Sequence, residues 1–194
     1  MNILLATTNT WKLREVAAAF SGLNIRLSCL DDLPDFPRVE ETGLTFEENA
    51  LKKAREIWRW SGQTTLADDS GLVVPALGGH PGIYSARYAG EGATDEENLQ
   101  KLITEVSKVP EGQRQAYYVC VLALVDPSGK ELVMEGRCHG EIILDRRGTG
   151  GFGYDPVFYL PEMHKTMAEL PLELKNQISH RGRALLQMDI RKNF

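Results

Sequence analysis

The sequence predicts an α/β fold built on a mixed β-sheet. Three observations carry this. An apolar strand from Asn2 to Ala6 runs through a polar loop into an amphipathic helix, and two further helices open on threonine caps at Thr45 and Thr94. An apolar, β-rich run from Ala116 to Val125 then turns back through Asp126-Pro127-Ser128-Gly129 into a second strand, Glu131 to His139. Helices mixed with a hairpin in this way imply a sheet with strands in both directions, not a strictly alternating βαβ series.

Taken in order, the first helix is expected to reach about Ser21, with Leu13, Val16, Ala17 and Phe20 at i, i+3, i+4 and i+7 spacing. Asp31 to Gly43 reads as a Pro- and acid-rich loop. Thr45-Phe46-Glu47-Glu48 has the spacing of a capping box and opens a helix to about Trp60, closed by Gly62. Its apolar stripe is Phe46, Ala50, Leu51, Ala54, Ile57 and Trp58. Two short strands, Thr64 to Ala67 and Leu72 to Val74, are expected around a turn at Asp68-Asp69-Ser70-Gly71.

Gly78 to Gly82 reads as irregular, and Thr94 with Glu97 caps a helix that turns Leu99, Leu102, Ile103 and Val106 inward. The Ala116–His139 hairpin belongs at the sheet centre. Further strands are expected near Glu141 to Leu144 and Val157 to Tyr159, then helices around Leu172 to Ile178 and Arg181 to Arg191.

With 194 residues the chain forms one domain, or two lobes sharing a sheet, and no repeat or linker divides it. Apolar content of 42% and charged content of 25% describe an ordinary globular protein. The net charge of −5 argues against a general nucleic-acid binder but leaves room for a local cationic pocket for a small anion. Three widely spaced cysteines (Cys29, Cys120, Cys138) exclude a disulfide framework and a cysteine-based zinc site, and fit a reducing compartment. The start lacks a basic leader with an apolar core, and no run of membrane-spanning length occurs. A cytoplasmic protein without a membrane partner is therefore expected.

Gly150-Gly151-Phe152-Gly153-Tyr154-Asp155-Pro156 is the most chemically suggestive stretch. Glycines on both sides of Phe152 permit a sharp bend, leaving a phenyl face free to stack on something flat. Asp155, with His180 and Arg181 of Ser179-His180-Arg181, supplies the hydrogen-bonding groups that a purine edge needs. Near the other end, Thr7-Thr8-Asn9-Thr10-Trp11-Lys12 links a strand to a helix start, where free N–H groups and the positive dipole end favour an anion. Thr and Asn also cap helices without any ligand. A Walker loop is absent.

Asp68 and Asp69 would point in different directions from an extended backbone, so that one can hold a metal or water while the other supports the loop; an Asx-type turn is the plainer alternative. Glu40-Glu41 forms a second acidic pair, either solvated or functional. The two pairs together offer hard oxygen ligands, which select Mg²⁺ or Mn²⁺ over zinc. Lys53 lies either on a solvated helix face beside Glu56 or at a cleft rim facing phosphates. No nucleophile motif appears.

Six blocks in order across nearly the whole chain give the sequence a resemblance to the inosine/xanthosine triphosphate pyrophosphatase family. They are T-T-N-x-x-K at Thr7 to Lys12, E-E-T-G-L-T-F at Glu40 to Phe46, A-D-D-S-G-L at Ala67 to Leu72, L-G-G-x-P-G-I-Y-S-A-R-Y at Leu77 to Tyr88, G-T-G-G-F-G-Y-D-P at Gly148 to Pro156, and S-H-R-G at Ser179 to Gly182. The resemblance implies an elongated two-lobed α/β fold around a long mixed sheet with flanking helices, an active-site cleft between the lobes, and a homodimer. It implies Mg²⁺-dependent hydrolysis of ITP, dITP, XTP and dXTP to the monophosphate and pyrophosphate, which cleanses the nucleotide pool. Thr7, Thr8, Asn9, Lys12 and Lys53 would hold the triphosphate, Glu40 or Glu41 and Asp69 the metal, and Asp69 would also be the general base. Ser70 would touch substrate, and Phe152, Gly153, Tyr154, Asp155, Lys175, His180 and Arg181 would form the base pocket. Thr8 and Trp11 depart from the glycines often found there, which bears on loop geometry.

Three other classes compete: a pyrophosphatase for pyrimidine or modified nucleotides, a nucleotide sensor without catalysis, and a single-strand-binding module using Phe152. The purine-sized platform opposes the first, the presence of Asp69, Lys12 and Lys53 the second, and the acidic charge the third.

Overall fold

The structure, a computed structural model, describes residues 1–188. Its seven strands form one mixed sheet: β1 (Asn2–Leu5), β2 (Arg26–Cys29), β3 (Thr65–Val73), β4 (Gln115–Val125), β5 (Glu131–Ile142), β6 (Phe158–Leu160) and β7 (Lys165–Thr166), in the order β2-β1-β3-β4-β5-β6-β7. β1 runs parallel to both β2 and β3, whereas β5, β6 and β7 pair antiparallel. The parallel part follows from helical connections. Helix α1 (Thr10–Ala19) returns the chain beside β1 as β2, and α2 (Phe46–Ser61) returns it on the other side as β3. In the antiparallel part, short connections join β4 to β5 and β6 to β7, while residues 143–157 link β5 to β6. The β4–β5 turn is held by Asp126, whose Oδ1 accepts from the N–H groups of Ser128 and Lys130 at 2.8 and 3.0 Å.

The helical caps behave as local chemistry dictates. Thr45 Oγ1 accepts from Glu48 N–H at 3.1 Å, and Gly62 ends α2 at φ 67°, a left-handed conformation that glycine adopts without strain. The glutamate of that box reaches one residue further back than expected, to Leu44 N–H. Thr94 and Glu97 form a complete reciprocal box at the start of α3 (Asp95–Val106). Two short helices, α4 (Leu172–Ile178) and α5 (His180–Leu186), close the described chain; the part of the last expected helix beyond residue 188 lies outside the described residues.

Four expectations need correction. Asp68-Asp69-Ser70-Gly71 is no turn, because β3 runs unbroken through it. The strand expected near Glu141 is the end of a longer β5. Strands β2 and β7 carried no recognisable alternation and were not foreseen. Val16 of α1 and Phe20 at its end are buried as expected but Ala17 is exposed, and Glu15 is buried because it has a buried cationic partner.

By contacts the chain divides into two compact units, each with its own core. The first comprises residues 1–69, 120–136 and the described residues from His180 on, around Ile3, Leu5, Val16, Leu66, Leu122 and Leu124. The second comprises residues 70–119 and 137–179, around Leu72, Leu102, Tyr118, Phe158 and Met167. Each fully buried aliphatic side chain contributes about 1.5–3 kcal/mol relative to exposure. Among the described residues no helix is long and apolar enough to cross a membrane.

Candidate active site

Successive side chains on a strand project to opposite faces, and β3 uses this to place two adjacent acids in unlike surroundings, both within the first unit. Asp68 is buried among cations. Arg181 Nε donates to its Oδ2 at 2.9 Å, Lys12 forms an ion pair with its Oδ1, and the Cys120 thiol donates to Oδ2 at 2.9 Å. Arg181 also pairs with Glu15 of α1, so one guanidinium at the start of α5 joins a helix to a strand. Burial alone would raise Asp68, but Arg181 and Lys12 outweigh it and hold the carboxyl well below its usual range. Burial, and then the same carboxylate, push the Cys120 thiol well up.

Asp69 faces differently. Lys53 Nζ donates to its Oδ1 at 2.9 Å and to Glu41 Oε1 at 2.6 Å, bridging the two acids. Oδ2 of Asp69 is buried and has no hydrogen-bond partner. Burial raises Asp69 to about 6, with Glu41 adding to the rise and Lys53 opposing it. For Lys53, burial would lower the ammonium, yet Asp69 and Glu41 carry it above its ordinary value. Glu40, the neighbouring acid, is exposed. Two carboxylates around a lysine, one with an unsatisfied buried oxygen, can hold a cation or orient a water. Among the described residues no three His, Cys, Asp or Glu side chains stand together as a metal cage.

The first loop is built as a cap. Asn9 Oδ1 accepts from Trp11 and Lys12 N–H at 2.9 and 3.1 Å, and Thr7 Oγ1 accepts from Asn9 N–H at 3.1 Å. This directs Lys12 inward to Asp68, while Thr8 is exposed. Ser70 follows Asp69 on β3 and is half-buried.

In the second unit, Asp155 organises the glycine-rich loop. Its Oδ2 accepts from Phe152 N–H at 3.0 Å and from Lys175 Nζ at 2.7 Å, and its Oδ1 from the Tyr118 hydroxyl at 3.2 Å. Gly151, at φ 70°, lies so close that a Cβ there would collide with the Asp155 carboxylate. The Lys175 ammonium lies 5.1 Å from the centroid of the half-buried Phe152 ring, within cation–π range. Gly153 N–H donates to Asp95 Oδ2 at 3.0 Å. Phe152, Gly153, Asp155 and Lys175 thus form one constellation.

Tyr154, expected at the base pocket, has its side chain in the core of the second unit. It is a core residue whose hydroxyl donates to the Ser85 carbonyl at 2.7 Å, and burial raises its pKa. Arg181, also expected at the base, gives hydrogen bonds to Asp68 and Glu15. His180 is buried at the start of α5. Glu15, Cys120 and Tyr118 were not anticipated. Their only sequence signal is a polar atom at an inward position of an apolar helix or strand.

The model of the Ham1 family matches residues 3–190. A dITP/XTP pyrophosphatase of Geobacter sulfurreducens is 57% identical over 183 residues, covering 94% of this chain and 92% of its own. One of the same name from Geobacillus kaustophilus is 53% identical over 187 residues, covering 96% and 92%. The structure of a HAM1 protein from Coxiella burnetii superposes with a TM-score of 0.88 at 42% identity, over 99% of this chain and 98% of that one.

Proposed function

Because the chain belongs to the Ham1 family, we propose that it is a nucleoside triphosphate pyrophosphatase acting on deaminated purine nucleotides (ITP, dITP, XTP and dXTP). The products are the nucleoside monophosphate and pyrophosphate, and the cellular role is removal of these nucleotides before polymerases use them. The observation that carries the reading is Asp69: a buried carboxylate poised near neutrality, with one oxygen on Lys53 and the other without a hydrogen-bond partner.

Asp69 orients the attacking water and takes its proton as the oxygen bonds to phosphorus. The α–β anhydride opens, pyrophosphate departs, and the proton passes from Asp69 to solvent. Lys53 and Lys12 offset charge on the leaving pyrophosphate. Glu41 and Asp69 would hold Mg²⁺, or Mn²⁺ in its place, since carboxylate oxygens are the hard donors that these cations take. Bound there, it would neutralise the triphosphate and polarise its phosphoryl oxygens. Glu40 has no part in this set.

For the base, Phe152 supplies the stacking face and Lys175 a donor toward the 6-keto oxygen of hypoxanthine or xanthine. Adenine presents a 6-amino donor there, a mismatch that can reach roughly 10⁴-fold in discrimination. A homodimer in the cytoplasm completes the proposal.

The test is product formation from ITP, dITP, XTP, GTP, ATP and dTTP with Mg²⁺, scoring pyrophosphate and orthophosphate separately. Pyrophosphate from the deaminated purines alone supports the reading. Turnover of dTTP or the standard purines would replace it with a broader pyrophosphatase, and orthophosphate as first product would sink α–β cleavage.

A further inference from the structure

Four side chains from the first two turns of α2 fasten four consecutive residues of the preceding loop, in reverse order. Glu48 Oε2 accepts from Leu44 N–H at 2.7 Å, and Asn49 Oδ1 accepts from Gly43 N–H at 2.7 Å. Lys52 Nζ donates to Thr42 Oγ1 at 3.0 Å, and Lys53 Nζ to Glu41 Oε1 at 2.6 Å. The loop itself belongs to no helix or strand. These contacts therefore set where the Glu41 carboxylate stands.

Asn49 is the anchor. It is fully buried, unusual for an amide side chain, and its carbonyl oxygen is used on the loop. Gly43 permits the approach: a Cβ there would come within 2.7 Å of both Asn49 Oδ1 and Glu48 Cβ. The glycine serves close contact and not a left-handed backbone.

We propose that Asn49 and Glu48 are positioning residues for Glu41, setting the affinity for the divalent cation; the inference rests on the reading of Glu41 and Asp69 as its donors. Outer partners that orient a ligating carboxylate typically change metal affinity by about 10–100-fold when removed. Asn49→Ala leaves Gly43 N–H without its acceptor and lets the Glu41 carboxylate wander. Glu48→Ala does the same one residue later, from an exposed position where truncation opens no cavity. Glu48→Gln keeps an acceptor for Leu44 N–H.

The experiment measures Mn²⁺ binding by electron paramagnetic resonance on the full chain without nucleotide, beside the Mg²⁺ half-saturation of pyrophosphate release from ITP. In Asn49→Ala and Glu48→Ala both constants should rise about tenfold or more, and Glu48→Gln should restore them. The kcat at saturating Mg²⁺ and the inosine-over-adenosine ratio should hold. A purely structural role would lower the melting temperature and leave the Mn²⁺ constant unchanged in folded protein; that result overturns the inference, as does a wild type that binds no Mn²⁺. Should Asn49→Ala fail to fold, the Glu48 pair decides. A wild type that binds Mn²⁺ yet releases no pyrophosphate would sink the substrate reading alone, and the Mn²⁺ shift would still decide this one.

Discussion

Asp68 and Asp69 are consecutive on β3, yet the first is held ionised among Arg181 and Lys12 while the second is raised to about 6 by burial. Two identical neighbours on one strand thus sit in opposed environments. Asp68 ties α1, β4 and α5 to the sheet through Lys12, Cys120 and Arg181. Asp69 keeps an oxygen available beside Lys53.

Asp69→Asn should preserve the fold, since the amide is nearly isosteric and Lys53 keeps Glu41 as partner. Pyrophosphate release from ITP should fall about 10²–10⁴-fold if the carboxylate is the base, and further if it also holds the cation. Steady-state kinetics beside a melting curve checks both. A variant within twofold of wild type would remove Asp69 from the mechanism.

The pH dependence follows from the same carboxylate. A base must be ionised, so kcat/KM for ITP should fall on the acid side as Asp69 protonates, at about 6 in the metal-free protein and lower where the cation is bound. In the metal-free protein its stability effect has the opposite sense. A raised carboxyl contributes stability below its unfolded value near 4 and loses it as pH rises through about 6. Urea midpoints for wild type and Asp69→Asn should therefore diverge between pH 4 and 7, wild type losing ground as pH rises.

Arg181→Met leaves Asp68 and Glu15 buried without their shared cation. Breaking a buried ion pair from one side costs about 3–5 kcal/mol, readable as a lower urea midpoint at neutral pH. Asp68 is depressed, so its contribution exists above the unfolded carboxyl range and is lost as pH falls. The gap between variant and wild type should narrow below about pH 4.

Lys175→Met removes the ammonium from Asp155 and from the Phe152 ring. If Lys175 donates to the 6-keto oxygen, kcat/KM for ITP should fall roughly 10–100-fold, the worth of a charged hydrogen bond. Activity on ATP, already poor, should change little, so the preference collapses. Equal losses on both nucleotides would assign Lys175 to loop packing alone.

What the sequence shows and hides divides along distance. The caps at Thr45 and Thr94 were legible because their partners lie three residues away. The hairpin at Asp126 was legible for the same reason. Asp68-Asp69-Ser70-Gly71 has the composition of a turn, and only its pairing within the sheet and its cationic partners make it strand. Glu15 drew no expectation because its partner Arg181 is 166 residues away. Lys53 was visible as a candidate, but its bridge between Glu41 and Asp69 needs α2, the loop and β3 folded together. The residues of the second constellation were recognisable, whereas the use of Asp155 as its organiser was not.

One consequence of placing both acids on an unbroken strand concerns which sequence changes the protein can survive. Side-chain direction along a strand has a period of two, so deleting or inserting one residue earlier in β3 would exchange the faces. The acid meant for Lys53 would be driven toward Arg181, and its neighbour toward Lys53, with composition almost unchanged. Lineages of this chain should accordingly vary in length within residues 31–39, where no strand register is at stake, and keep the spacing from Thr65 to Asp69 invariant.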